Sequence, residues 1–145
     1  MQIMKLATIL FLSVVVMSCS QAPTLNEEEL LKILVQINHI GPLNFRQNVW
    51  PSLKDKTITY CGQLQEVTTM DAHTLVIVKV DKPSGGENLP WALVGESASP
   101  DLAGSYKPGD ALCMTGIIES FAEALEHSYR GYVQIASLTK SVATK

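Results

Sequence analysis

Several features that define whole classes of protein are scarce or absent in this sequence of 145 residues. No apolar run reaches the ~20 residues that a membrane-spanning helix needs, and no collagen-like or coiled-coil repeat occurs. Charged residues make up only 17% of the chain and the formal net charge is −3, which excludes a chain-wide basic surface for nucleic acid. The apolar fraction of 46% still suffices for a packed core, so predominant disorder is excluded as well.

Residue patterns for catalysis and metal binding are also missing. No serine lies in a nucleophile elbow, no glycine-rich loop follows a strand, and no His–Glu pair has metal spacing. The three histidines are scattered and have no ligand spacing with a cysteine. Three neighbouring carboxylates, Glu119, Glu123 and Glu126, are more typical of a solvated face than of paired catalytic acids. We therefore expect a protein that is not an enzyme and uses no cofactor and no metal.

The N-terminus is organised as an export signal. Lys5 precedes an apolar run over residues 6–17, which has the length of a signal h-region, so residues 1–18 are predicted to be a signal peptide. The run ends in Val16-Met17-Ser18-Cys19, with an aliphatic residue, a small residue and then a cysteine. This motif resembles the lipobox of bacterial lipoproteins.

The lipobox resemblance implies a lipid anchor on Cys19. In that family the cysteine thiol receives a diacylglyceryl group, the signal is cut before the cysteine, and the new amine is usually acylated, for which palmitate is the usual label. Two or three acyl chains anchor a protein stably where one does not. Ser20 is not aspartate, which in the family implies the periplasmic face of the outer membrane. An uncleaved anchor and cleavage by the ordinary signal peptidase are the alternatives.

The two remaining cysteines are Cys61 and Cys113. In the oxidising periplasm, an even number of cysteines left after Cys19 favours a disulfide over a pair of metal ligands. Two free thiols are the alternative.

The first part of the mature chain is predicted to be a tether and one helix. Residues 19–25 form the tether. Thr24 and Glu27 fit a capping box, and apolar residues then recur at helical spacing. Gly41-Pro42 is typical of a helix end, so we predict an N-terminal α-helix over residues 26–40.

The rest of the chain changes to the period-two pattern of β-strands after a crossover. Residues 41–56 are expected to be an irregular crossover that packs on the core through Phe45, Val49 and Trp50. Residues 57–140 are expected to be β-structure, and residues 141–145 a frayed tail. Five strands are predicted. The first begins at Thr57, and the other four cover residues 74–80, 91–94, 111–118 and 132–138.

Two of these strands resemble strands of the OB fold. Residues 56–67 read KTITYCGQLQEV, and residues 106–118, YKPGDALCMTGII, enter a similar pattern through Pro-Gly-Asp. Glycine inside a strand, here Gly62 and Gly116, is typical of a bend that closes a small barrel. The pattern resembles the anticodon-binding-like OB domains of exported bacterial proteins. It implies a mainly β fold: a five-stranded OB-like barrel preceded by one N-terminal α-helix.

The OB resemblance also bears on the two cysteines. In OB folds the first and fourth strands are antiparallel neighbours. With Ile58 and Tyr60 inward on one strand and Met114 inward on the other, Cys61 and Cys113 both point outward. The disulfide is then feasible at the usual Cα separation of ~4.4–6.8 Å, provided that the register brings the two cysteines opposite each other.

The resemblance finally suggests where a ligand would bind. OB domains use the face of their second and third strands with the flanking loops, which here correspond to residues 69–73 and 121–130. The candidate ligand-binding residues are His73, Phe121, Tyr129, Arg130 and Tyr132. The alternative is that the aromatic rings fill the end of the barrel.

Together these observations predict a membrane-tethered periplasmic lipoprotein that acts as a non-catalytic binding or assembly module in the cell envelope. The expected partner, besides the membrane, is an envelope protein, a peptide or a glycan. The alternative is an OB-fold binder of single-stranded nucleic acid or oligosaccharide. Nucleic acid is not expected, because Lys79, Lys82 and Arg130 are few cations and lie among acidic residues.

Overall fold

The computed structural model describes residues 24–125 and 127–141. The predicted signal peptide, Cys19, most of the tether and residues 142–145 lie outside this range. Within it, no helix combines the length and apolar character needed to cross a membrane.

Helical segments occupy the chain between residues 27 and 53. A two-residue strand, β1 (Thr24–Leu25), precedes them and pairs in parallel with the start of the first long strand. The helical segments are α1 (Glu27–Leu34), α2 (Ile37–Asn44), a π-helix (Phe45–Val49) and α3 (Trp50–Leu53).

The start of α1 differs from the predicted capping box. Asn26, and not Thr24, is the N-cap: its side chain accepts a hydrogen bond from the Glu29 amide at 2.9 Å. The Glu29 carboxylate in turn accepts one from the Asn26 amide at 3.0 Å. Thr24 is held in β1 opposite Thr57, and asparagine is the stronger cap, so the capping box begins two residues later than expected.

The segment 41–56, predicted to be irregular, is mostly helical. The prediction of one helix over residues 26–40 is also wrong, since α1 ends at Leu34 and α2 runs on to Asn44. Gly41 has a φ of 78°, which redirects the chain inside α2 before helical turns resume. Phe45 and Trp50 are buried, and this burial stabilises turns that the local sequence does not favour. The predicted packing of this segment on the core is confirmed.

Five long strands follow the helices, and one 3₁₀ helix, Pro100–Gly104, lies between the third and fourth of them. The strands are β2 (Thr57–Met70), β3 (His73–Lys79), β4 (Trp91–Ser97), β5 (Ala111–Leu125) and β6 (Ser128–Lys140).

The strands close into a barrel with the predicted OB-like topology. The order is β2-β3-β4-β6-β5, and β5 pairs back with β2. All neighbours are antiparallel except β4 and β6, which are parallel. Five strands in this ring, with a Greek-key connection between β4 and β5, make an OB-like barrel. The predicted mainly β fold is confirmed.

Strands β5 and β6 are longer than predicted and form one continuous hairpin. The segment 121–130, expected to be a loop, is paired over most of its length, with Phe121 opposite Gly131 and Leu125 opposite Ser128. An irregularity between Ile118 and Ser120 shifts the alternation by one residue, so that Phe121 points into the core and the pairing continues. Glu119 and Glu123 are exposed, as expected for a solvated face.

The inward and outward faces of β2 and β5 match the prediction. Ile58, Tyr60 and Met114 are buried, whereas the cysteines lie on the other face and are half-buried. Cys61 is directly opposite Cys113, and the two form a disulfide with a Cα–Cα distance of 4.0 Å. This distance is shorter than the range expected from the sequence, because the two residues are a direct cross-strand pair.

The two glycines predicted at bends have different surroundings. Gly116 lies at a register shift between β5 and β6, as expected for a bulge. Gly62 shows no register shift with β5; a Cβ there would lie 2.8 Å from Cε1 of Tyr60. The bend is therefore evident at Gly116, while Gly62 makes room for the ring of Tyr60.

The helical layer joins the barrel through a cluster of aromatic rings. The ring of Phe121 lies 4.7 Å from Trp50 and 5.6 Å from Trp91, measured between centroids. Trp91 also donates a hydrogen bond from its indole N–H to the carbonyl of Leu34, at 3.2 Å. Because aromatic rings bury large areas, this cluster holds the helices against the barrel end.

The loop between β3 and β4 is fastened to the helices by three side-chain contacts. They form near the start of α1 and of α2, and join each helix to the loop at separate points. The contacts are Lys82–Glu27 at 2.6 Å, His39–Glu87 at 2.7 Å and the Asn38 amide to the Asn88 carbonyl at 3.1 Å.

Candidate ligand-binding face

A row of two cations crosses the outer face of three neighbouring strands. Lys79 of β3 is opposite Ala92 of β4, and Ala92 is opposite Arg130 of β6. We call these residues the basic row. Both cations are exposed, and neither forms an ion pair with another residue in the described part of the chain. Since neighbouring strands are ~4.8 Å apart, the backbones of Lys79 and Arg130 lie about 10 Å apart. Between them is Ala92, whose side chain is a single methyl group.

The next row along the same strands is apolar. It consists of Ile77, Val94 and Tyr132, which we call the apolar row. Val94 is only 5% exposed because its neighbours cover it, whereas Tyr132 is 37% exposed. Two residues along a strand correspond to ~6.6 Å, so an apolar surface begins about one side chain away from the basic row.

The third row consists of Leu75, Glu96 and Gln134, and we call it the acidic row after its one carboxylate. Glu96 is bound by His73 of the β2–β3 hairpin, with Nδ1 and Oε1 3.1 Å apart. The outer face of β3, β4 and β6 therefore changes from basic through apolar to acidic along the strands.

A groove lies over the basic and apolar rows. Its larger part has a volume of about 400 Å³, and an adjoining part of about 210 Å³ extends to Lys79. One wall is Gln65, which the register shift between Leu64 and Glu66 leaves unpaired as a bulge. The opposite wall is the β5–β6 hairpin, with Ser128 and the 75% exposed Leu125. No carboxylate is among the described residues that line either part.

The structure separates the residues predicted to bind a ligand. Arg130 and Tyr132 both line the groove. Phe121 and Tyr129 are each 4% exposed and belong to the aromatic cluster, so their faces are not open to a ligand. His73 lies beside Glu96 in the acidic row, outside the groove.

The burial of Tyr129 has an electrostatic consequence. Desolvation raises the pKa of its hydroxyl, and the nearby carboxylate of Glu123 raises it further. The ring therefore has the surroundings of a core residue, which is the alternative that the sequence left open for the aromatic side chains.

Other members of the groove were missed by sequence reasoning. Ile77 and Ala92 look like ordinary outward strand residues, and only the pairing of β3 with β4 makes them diagonal neighbours on one face. Sequence reasoning included Lys79 only among the cations that are too few for nucleic-acid binding. Leu125 did offer a signal, because an apolar residue beside a tight hairpin is rarely required for the core.

The groove offers chemical groups that can hold a ligand. These groups are the ammonium of Lys79, the guanidinium of Arg130 and the amide of Gln65. The hydroxyls of Ser128 and Tyr132 and an apolar floor complete the lining. In the described residues no group of three or more His, Cys, Asp or Glu side chains is placed to hold a metal ion. The disulfide lies at the β2–β5 seam, outside the groove lining.

Comparison with known proteins identifies no family for this sequence. No family model matches it, and no curated protein matches it. Among solved structures, a putative aspartyl-tRNA synthetase from Leishmania major Friedlin is similar over 91% of this chain and 24% of its own, with 10% identity and a TM-score of 0.49.

Two further solved structures are similar at the same level. An aspartyl-tRNA synthetase from Entamoeba histolytica matches 66% of this chain and 21% of its own, with 11% identity and a TM-score of 0.47. OBody AM3L15, bound to hen egg-white lysozyme, matches 65% of this chain and 88% of its own, with 15% identity and a TM-score of 0.44. This chain thus spans less than a quarter of the synthetases. Its assignment as an OB-like barrel rests on strand order and closure.

Proposed function

We propose that the protein is a non-catalytic binding module whose ligand occupies the groove over β3, β4 and β6. The observation that carries this proposal is the position of the groove. OB domains bind on the face of the second and third barrel strands between two flanking hairpins, and here those strands are β3 and β4. The groove lies on this face, between the Gln65 bulge and the β5–β6 hairpin.

The composition of the groove supports the same function. Binding sites combine an apolar surface with a few polar groups that fix orientation. Here Ile77 and Ala92 supply the apolar floor, and Arg130 supplies a charge that no other described residue neutralises. An exposed Leu125 at the rim is stabilised by contact with a ligand, whereas in the free protein it remains in water.

We further propose that the module is a periplasmic lipoprotein, tethered by acylated Cys19. The support for this is the lipobox-like sequence Val16-Met17-Ser18-Cys19 and its position after an apolar run. A structural disulfide between Cys61 and Cys113 is compatible with an oxidising compartment. Only four residues separate Cys19 from β1, so such an anchor would keep the barrel within about 18 Å of the membrane surface.

Site-specific photo-crosslinking tests the groove. A benzophenone amino acid replaces Leu125 in the groove wall, and in a matched variant it replaces Met70, an exposed apolar residue at the β2–β3 hairpin. We expect a discrete adduct in intact cells from position 125 only. The adduct should disappear when Ala92→Trp fills the groove floor. Equal crosslinking from both positions, or an adduct that survives Ala92→Trp, would contradict the proposal.

The tether has its own test. Labelling with a palmitate analogue should mark the wild-type protein, and Cys19→Ala should lose both the label and the membrane fraction. Cys61→Ala is the matched control, since it removes a cysteine that has no lipobox around it and should keep the label. A Cys19→Ala protein that still sediments with membranes would contradict the anchor.

A further inference from the structure

We propose that the groove recognises the C-terminal end of an apolar polypeptide. The terminal carboxylate lies between Lys79 and Arg130, and the last apolar side chains lie over the apolar row. This inference rests on the proposed function of the groove as the ligand site. It adds the chemical class of the ligand, a free carboxylate joined directly to apolar residues.

The first argument is the placement of charge. The whole chain has more acidic than basic residues, 14 against 11, yet the described residues that line the groove include two cations and no carboxylate. Lys79 and Arg130 flank the small side chain of Ala92, which leaves space for a ligand group between them. An anion in that space would contact both cations, and charge-assisted hydrogen bonds of this kind are the stronger ones.

The second argument is the change from basic to apolar within one step along the strands. Ile77 and Tyr132 lie two residues from Lys79 and Arg130, a distance of ~6.6 Å. The last side chain of a polypeptide begins within this distance of its terminal carboxylate. A ligand whose charge is separated from its apolar part by a long polar linker would not fit both rows.

The third argument excludes an extended polyanion. A single strand of nucleic acid carries a phosphate on every nucleotide, and a strand that ran along β4 from the basic row would reach Glu96 in the acidic row. A strand that ran across the β-strands would meet only the two cations and then Gln65 or Ala122. The face therefore offers its two cations to one anionic group and no cation to the further phosphates of a strand.

The groove also offers hydrogen-bonding groups for a peptide main chain. The amide of Gln65 and the hydroxyl of Ser128 lie on opposite walls, and neither is hydrogen-bonded to another side chain or main-chain group in the described residues. A peptide between the walls can donate to and accept from these groups. The β-bulge that points Gln65 at the groove thus gains a role in ligand orientation.

Fluorescence anisotropy with defined peptides tests the inference. The probe is a fluorescein-labelled pool of short peptides whose last three positions vary among Ala, Val, Leu, Ile and Phe. It is compared with the same pool as C-terminal amides, using the full-length protein in detergent. We expect the free acids to bind and the amides to bind about tenfold more weakly, as for loss of a charge-assisted hydrogen bond.

Variants assign the effect to the basic row. Arg130→Gln and Lys79→Gln should each weaken binding of the free acids by about tenfold and leave binding of the amides unchanged. Lys107→Gln is the matched control, since Lys107 is an exposed lysine outside the groove lining. This variant should bind both pools as the wild type does.

The outcomes separate this inference from the proposed function. Fluorescein-labelled oligothymidine is measured beside the two pools. Equal binding of acids and amides, no binding of either pool, or tighter binding of oligothymidine than of the acids overturns the carboxylate class. In those cases an adduct from position 125 that Ala92→Trp abolishes still supports the groove as a ligand site. If Ala92→Trp fails to fold, Tyr132→Ala serves in its place. Peptide binding that is unchanged in a folded groove variant overturns this inference, and the groove as a ligand site is overturned only if the adduct from position 125 also survives that variant.

Discussion

Gly116 of β5 lies so close to the carbonyl oxygen of Gln134 in β6 that a β-carbon at position 116 would overlap it. The nearest atoms include main chain, which cannot rotate away as a side chain can. Glycine is thus required here by the approach of two strands, at the point where their register shifts.

Gly116→Ala should destabilise the protein by about 3 kcal/mol, at the upper end of the cost of overpacking, because β5 and β6 must separate locally. Gly104→Ala is the matched control, since nothing lies within 4 Å of a Cβ built at Gly104. We expect the free energy of unfolding of the control, measured in urea, to lie within about 0.5 kcal/mol of that of the wild type. Equal stability of the two variants would contradict the close approach of the strands.

The β2–β3 hairpin contains a residue in an unfavourable conformation. Asp71 and Ala72 have φ of 51° and 68°, as a two-residue turn between right-twisted strands requires. Alanine in the left-handed region costs roughly 1–2 kcal/mol, which glycine avoids at the expense of some entropy.

Ala72→Gly should therefore stabilise the protein by about 0.5–1 kcal/mol. The matched control is Ala122→Gly, at a regularly paired position within β5, where the same change should destabilise the protein by about 0.5–1 kcal/mol. Urea unfolding of both variants gives the sign of each change in the free energy of unfolding. The same sign for both would show that the turn is not the cause.

The disulfide should supply a large part of the stability. It joins residues separated by 52 positions. The chain-entropy model then gives about 4 kcal/mol. The double variant Cys61→Ala/Cys113→Ala should lose about this amount in urea unfolding. Reduction should lower the stability of the wild type and leave that of the double variant unchanged. Two free thiols in the folded protein, found by peptide mapping without reductant, would contradict the bond.

Stability should fall steeply above pH 10. Burial raises the pKa of the Tyr60 hydroxyl well above its ordinary value of 10.0. In the unfolded chain this tyrosine loses its proton near pH 10, while the folded protein still holds it. The unfolded state is therefore favoured as the pH rises beyond that value.

Tyr60→Phe tests this by removing the ionisable group. The variant should be less stable at neutral pH, because Tyr60 is hydrogen-bonded to the carboxylate and amide of Asp81, each at 3.2 Å. Its stability should decline less with alkaline pH than that of the wild type. Val78→Ala, a destabilised variant that keeps Tyr60, should retain the wild-type slope in urea unfolding between pH 8 and about pH 11.

The sequence was most informative where a local pattern is repeated. Alternation through Ile58 and Tyr60 predicted the inward face of β2, and the compartment argument predicted the pairing of Cys61 with Cys113. These features depend on strand period and on residue chemistry, both of which are visible in a short stretch of chain.

The features that the sequence did not reveal depend on pairing between distant segments. The basic row exists because β4 and β6 are parallel, which sets Arg130 beside Ala92, and nothing near either residue encodes that register. The bulge at Gln65 is likewise defined by its partner strand. The hairpin through Phe121 was missed because Ala122 and Ala124 weaken the strand pattern of that segment.

The contacts that fasten the β3–β4 loop to the helices have a mechanical consequence. The ion pair of Lys82 with Glu27 joins the chain just after β1 to the connection between two groove strands, and the contact of His39 with Glu87 joins α2 to the same connection. Tension applied at Thr24, where any N-terminal attachment would pull, therefore reaches the barrel by two routes: through the pairing of β1 with β2, and through the contact of Glu27 with Lys82.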